Sequence, residues 1–168
     1  KYAIKYAREN KIPYFGICIG MQMSLIEYAE NVLKLEDCNS TEFKKNCKNK
    51  IIVKLPDQVE NKIGGTMRLG DFKCNLLKGS KAEKLYGVES VLERHRHRYE
   101  FNNEYEKLFK ENGVVFSGIN PDSNLKEVIE IKDHPFFIAA QFHPEFLSRP
   151  MKPHPLFLGF IRAAIKHE

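Results

Sequence analysis

Gly16-Ile17-Cys18-Ile19-Gly20-Met21-Gln22 (GICIGMQ) directly follows the apolar stretch Ile12-Pro13-Tyr14-Phe15. A short buried strand is expected over Ile12–Ile17. A helix is expected over 21–34, because Leu25, Ile26, Ala29, Val32 and Leu33 share one helical face. A cysteine between two glycines, where a strand turns sharply into a helix, has the pattern of a nucleophile elbow with Cys in the place of Ser. The glycines would remove Cβ clashes in the tight turn. The helix N-terminus beyond would lend positive potential and free N–H groups. These are expected to lower the Cys18 thiol pKa and to hold an oxyanion, with the Ile19 N–H as first donor. Read alone, Cys18 could equally be a small buried hydrophobe, as cysteines often are.

A thiol nucleophile needs a base. Gln141-Phe142-His143-Pro144-Glu145 follows the apolar run Phe136–Phe142, which reads as a buried strand. It therefore lies at a strand's C-terminal end, where open α/β sheets gather reactive groups. Extended alternation is expected to set His143 and Glu145 on one side, so that Glu145 orients the imidazole toward the nucleophile. Between the two motifs, residues 36–49 read as irregular, Lys50–Leu55 as a strand and Pro56–Lys62 as a polar loop. Thr66–Leu69 and Phe72–Leu77 read as two strands joined at Gly70-Asp71, with a short helix near 80–86. Glu93–Phe101 is expected to be extended and Asn102–Glu111 helical, closed by Asn112-Gly113. Val114–Ile119 and Glu127–Ile131 read as strands, and 155–167 as an amphipathic helix. One α/β domain with a mixed sheet follows from this order.

The 168 residues suit one domain with a substantial core. The net charge is +5, but the 27 basic and 22 acidic residues are interspersed, which reads as a solvated surface and not as a nucleic-acid footprint. No run of eighteen apolar residues exists, so no membrane span is expected. Cys18, Cys38, Cys47 and Cys74 include no CxxC pair, which argues against a zinc or thioredoxin site; no metal is expected. The absence of a secretory signal fits a reducing, cytoplasmic setting. The chain lacks an initiator Met and opens on a helix-like segment, which reads as a piece of a larger protein.

Together, GICIGMQ and the downstream His143-Pro144-Glu145 resemble the class I glutamine amidotransferases, a family that includes imidazole-glycerol-phosphate synthase and GMP synthetase. Four further segments narrow the resemblance to the CTP synthase family: Asn39–Phe43 (NSTEF), Gly64–Gly70 (GGTMRLG), Glu93–Asn102 (ERHRHRYEFN) and Gln141–Phe157 (QFHPEFLSRPMKPHPLF). The resemblance covers nearly the whole of 1–168. It implies a single glutaminase domain with an open, mixed, mostly parallel sheet flanked by helices, lacking its N-terminal part. Its triad would be Cys18, His143 and Glu145. Glutamine would lie against Ile19, Gly20 and Gln22, its α-amino group on Glu42 and its α-carboxylate on Arg98. One carboxylate and one guanidinium also suit a zwitterionic amino acid on physical grounds. Arg94, His95, Arg96 and His97 are expected to be structural.

The resemblance further implies an N-terminal synthetase domain outside this sequence, where ATP and Mg serve the amination of UTP to CTP. GTP would act as activator, and the intact enzyme would be a homotetramer. No cofactor is expected in the glutaminase domain itself. The family's second oxyanion donor would lie upstream of residue 1, and Pro56–Ile63 offers no arginine for a GTP contact. Other readings of the same residues are the glutaminase of another class I amidotransferase, such as the imidazole-glycerol-phosphate synthase type, a cysteine hydrolase of esters or peptides, and an inactive assembly domain.

Overall fold

The structure is a computed structural model that describes residues 1–54 and 67–167. Helix α1 (Tyr2–Glu9) leads into strand β1 (Tyr14–Ile17) and helix α2 (Ile19–Asn31). Strands β2 (Cys38–Ser40), β3 (Asn49–Lys54) and β4 (Arg68–Leu76) follow, then α3 (Lys81–Tyr86), β5 (Ser90–His97) and β6 (Tyr99–Phe101). Helix α4 (Glu106–Glu111), β7 (Val114–Ile119), β8 (Lys126–Ile131), β9 (Phe137–Ala140) and α5 (Pro155–His167) complete the order. Among the described residues, six strands form the main sheet in the order β1-β9-β8-β7-β4-β5, and β2-β3-β6 form a smaller one.

The main sheet lies between two helical layers because its strands alternate. Ala139 packs with Met21, Leu25, Ile26 and Ala29 of α2 in one cluster. Ile138 and Ala140, one residue to either side, pack with Ala82 of α3 and Leu156 of α5 in another. A strand of period two thus serves two cores at once. Helix α2 is buried on nearly every face, so its sequence is apolar beyond a single stripe. Ser80 accepts a hydrogen bond from the Glu83 N–H at 3.0 Å, and Gly87 closes α3 at φ +71°.

The α/β class and the mixed sheet agree with the sequence. The share of parallel pairing does not. Among the described residues only β1–β9 and β2–β3 run parallel, while β8–β9, β7–β8, β4–β7, β4–β5 and β3–β6 are antiparallel. Short links of the hairpin kind join β7 to β8 and β8 to β9, too short for the crossover that a parallel neighbour needs. The expected break at Gly70-Asp71 is also absent. Gly70 adopts φ +111°, open to glycine, and β4 continues in unbroken register against β5 from Arg68↔His97 to Asn75↔Ser90. The stretch 36–49, read as irregular, contains β2. The expected loop Pro56–Lys62 and residue Thr66 lie outside the described residues.

Gly118 sits at a register shift between β7 and β8, and a Cβ there would stand 2.6 Å from Val128 Cγ2 and 2.8 Å from Cys74 Sγ. Replacing Gly118 by Ala is expected to destabilise the fold by about 1–3 kcal/mol through overpacking. Urea denaturation checks this, with a lowered midpoint at unchanged slope as the expected result.

Candidate active site

Cys18 lies between β1 and α2 at φ +50° and ψ −102°, a strained conformation for a side-chain-bearing residue. Three backbone hydrogen bonds hold it there. Its N–H donates to Ala140 O at 2.7 Å, and its carbonyl accepts from the Met21 and Gln22 N–H groups at 3.0 and 3.2 Å. Gly16 is required by space: a Cβ would meet Tyr14 Oη at 2.8 Å, the Gly20 carbonyl carbon at 2.9 Å and Ala139 Cβ at 3.0 Å. Gly20 is less constrained, since a Cβ there would meet Tyr14 Oη at an ordinary 3.5 Å. The Gly20 carbonyl instead accepts from Ser24 Oγ at 2.7 Å and Tyr14 Oη at 3.1 Å, which braces the first turn of α2.

His143 and Glu145 do meet: Nδ1 and Oε1 are 2.6 Å apart. The reason differs from extended alternation. His143 caps a 3-10 turn over Pro144–Phe146, with Pro at its first position, and the turn brings Glu145 back beneath the ring. The imidazole stacks on Phe146 at 5.2 Å between centroids. Its backbone N–H donates to Arg94 O on β5 at 2.8 Å. His143 Nε2 is buried and makes no hydrogen bond to any described residue. It is the ring nitrogen left for a reacting group.

A cavity of about 270 Å³ opens at the elbow, lined by Cys18, Ile19, Gln22, Glu42, Met67, Arg96, His97, Arg98 and Tyr99. Five expected site residues thus line one space. Glu42 reaches it from a turn after β2, where the buried Ser40 Oγ accepts the Glu42 N–H at 3.2 Å. Arg98 stands where the chain leaves β5 in the main sheet for β6 in the small one. Gly20 is not among the lining residues; its part is the braced helix turn. Arg96 and His97, expected to be structural, line the cavity as well. Arg94, Arg96 and Arg98 are exposed and alternate with the buried Glu93, His95 and His97, so strand period two was the signal for Arg96.

Beneath this wall lies a buried ionic network. Arg68 binds Glu127 at 2.5 Å and approaches Glu100 at 3.6 Å. His95 Nδ1 and His97 Nε2 are 2.8 Å apart, and His97 Nδ1 is 3.2 Å from Glu100. Burial lowers both histidine pKa values, and for His97 the charges of His95 and Arg68 lower it further. Burial pushes the Glu100 carboxyl up to about 8 despite Arg68.

The expected depression of the Cys18 pKa is reversed. Burial, with the charges of Glu100, Glu145 and Glu42, pushes the thiol up to about 11, and the Ile19 N–H only partly offsets them. Without substrate, alkylation of Cys18 by iodoacetamide is expected to speed up about tenfold per pH unit between about pH 7 and 9, without a plateau, as the thiolate fraction grows. A plateau near the free-cysteine range would contradict this. The other cysteines are free and buried, as expected, so mass mapping isolates Cys18.

Among the described residues no His, Cys, Asp and Glu group is placed to hold a metal ion, and no helix is long and apolar enough to cross a membrane. Residues 1–163 match the family described as glutamine amidotransferase class-I. The chain is 58% identical over 98% of its length to a CTP synthase of Treponema denticola, and 57% identical over 98% to one of Carboxydothermus hydrogenoformans. It spans 31% of the length of each of these relatives. The glutaminase domain of a Trypanosoma brucei CTPS, solved with bound acivicin, superimposes with a TM-score of 0.90 at 40% identity, covering 98% of this chain and 64% of that one.

Proposed function

Because the chain belongs to the class-I glutamine amidotransferase family, we propose that it hydrolyses L-glutamine to glutamate and ammonia, with Cys18, His143 and Glu145 as the triad. One observation carries the reading. A single cavity joins the thiol of Cys18 to a carboxylate, Glu42, and a guanidinium, Arg98, which match the two charges of a free amino acid.

The neutral thiol dictates the order of events. Cys18 passes its proton to His143 Nε2 as the sulfur attacks the glutamine side-chain carbonyl carbon. Glu145 on Nδ1 stabilises the imidazolium so formed. The Ile19 N–H supports the oxyanion, and His143 returns its proton to the amide nitrogen as the C–N bond breaks and ammonia leaves. His143 then takes a proton from water, whose oxygen attacks the γ-glutamyl thioester carbonyl; the C–S bond breaks, His143 returns the proton to the Cys18 sulfur, and glutamate leaves. Gln22 and Ile19 line the side-chain path. The relatives named CTP synthase support a second part of the reading: the ammonia serves CTP formation by a synthetase region of a longer polypeptide. We further propose that this polypeptide is cytoplasmic and a homotetramer, that it aminates UTP with ATP and Mg, and that GTP activates it.

In the full-length enzyme, Cys18→Ser is expected to lower glutamine-dependent CTP formation by about a thousandfold or more while sparing ammonia-dependent formation. Retained glutamine use would sink the nucleophile assignment. Arg98→Ala is expected to raise the KM for glutamine about 10- to 100-fold, the cost of a lost charge-assisted pair. Steady-state kinetics with glutamine against free ammonia checks both.

A further inference from the structure

The candidate nucleophile has a partner outside the triad. Gln141 is fully buried, and its Nε2 lies 3.6 Å from Cys18 Sγ as donor. Its other amide end is also occupied: Gln141 Oε1 accepts from Gln22 Nε2 at 3.2 Å. Gln22, 3% exposed, donates from the same nitrogen to Tyr99 O at 3.0 Å.

This chain of amides has a single consistent polarity. A backbone carbonyl can only accept, so Tyr99 O fixes the NH₂ end of Gln22 toward itself. That NH₂ group has a second hydrogen, which faces Gln141 and requires an oxygen there. The oxygen of Gln141 turned inward leaves its NH₂ aimed at sulfur. A flip of either amide would set two donors or two acceptors against each other in a buried place, a costly arrangement.

We infer that Gln141 is a positioning residue for Cys18, its amide N–H holding the sulfur in place and stabilising the thiolate, with Gln22 and the Tyr99 carbonyl fixing the direction of that amide. The inference rests on Cys18 being the nucleophile. The groups around the sulfur make such a donor useful. Glu100 on β6, Glu145 after β9 and Glu42 after β2 all disfavour a negative charge on it. The cations Arg96 and Arg98 line the open cavity, where the substrate would engage them. Gln141 and the Ile19 N–H supply donors that are in place before substrate arrives.

The test is the pH profile of Cys18 alkylation by iodoacetamide in the full-length enzyme without substrate. Gln141→Met keeps the side-chain volume and removes the donor. It is expected to slow alkylation about tenfold at every pH between about 7 and 9, a shift of roughly one pH unit in thiol ionisation. Gln22→Met leaves Gln141 in place but frees its amide to turn, and is expected to shift the profile the same way by a smaller amount. Far-UV circular dichroism and the thermal unfolding midpoint report folding for each variant. If Gln141→Met does not fold, Gln22→Met decides. An unmoved profile in the folded variant overturns the inference while leaving the nucleophile in place. Retained glutamine hydrolysis in Cys18→Ser would instead overturn the reading on which the inference rests.

Discussion

The parallel pairing of β1 with β9 is the constraint on which the site depends. Its register runs from Tyr14↔Phe137 to Ile17↔Ala140, and it ends in the bond from the Cys18 N–H to Ala140 O. Two parallel strands leave a sheet at the same edge. The residues just past each strand, Cys18 on one and Gln141 to His143 on the other, therefore emerge side by side although about 120 positions separate them. The same bond helps hold Cys18 in its strained conformation. Gly16 allows the close approach of Ala139 and Tyr14 that the pairing requires. Backbone geometry here does what no side-chain contact does alone.

The binding wall rests on a different kind of support. Charged and polar residues fill the inner face of β5, where a core would ordinarily carry aliphatic side chains. Arg68 is paired with Glu127, and Glu93 with His154 at 2.9 Å, while His97 Nδ1 and both oxygens of Glu100 lie close together without a hydrogen bond. Removing one partner of such a set leaves the other buried without compensation, which costs more than the pair contributes. The outward residues of the same strand are then fixed in direction, and Arg96 and Arg98 face the cavity together.

Much of this was legible in the sequence, and the exceptions share a cause. The elbow could be read because a strand period gave way to a helix period across GICIGMQ. The pairing of His143 with Glu145 was read correctly in outcome but from the wrong backbone, since Pro144 starts a 3-10 turn here where an extended link was expected. Arg96 was missed because a dense basic cluster was divided by analogy when simple alternation would have sorted it. The direction of the Cys18 pKa is set first by burial and then by Glu100, Glu145 and Glu42 from distant segments, and no local pattern carries that information. The parallel share of the sheet was misjudged for the related reason that strand direction is set by partners, not by the strand's own residues.

The His143 N–H is anchored on Arg94 O within β5, and Arg98 lies four residues further on, just past the end of that strand. At about 3.3 Å per residue, the chain sets a span of at most about 13 Å between the backbone that anchors His143 and the backbone that carries Arg98. The strand acts as a ruler. Because both marks are cut on one backbone, the proposed base and the residue proposed to hold the substrate carboxylate cannot shift independently of each other.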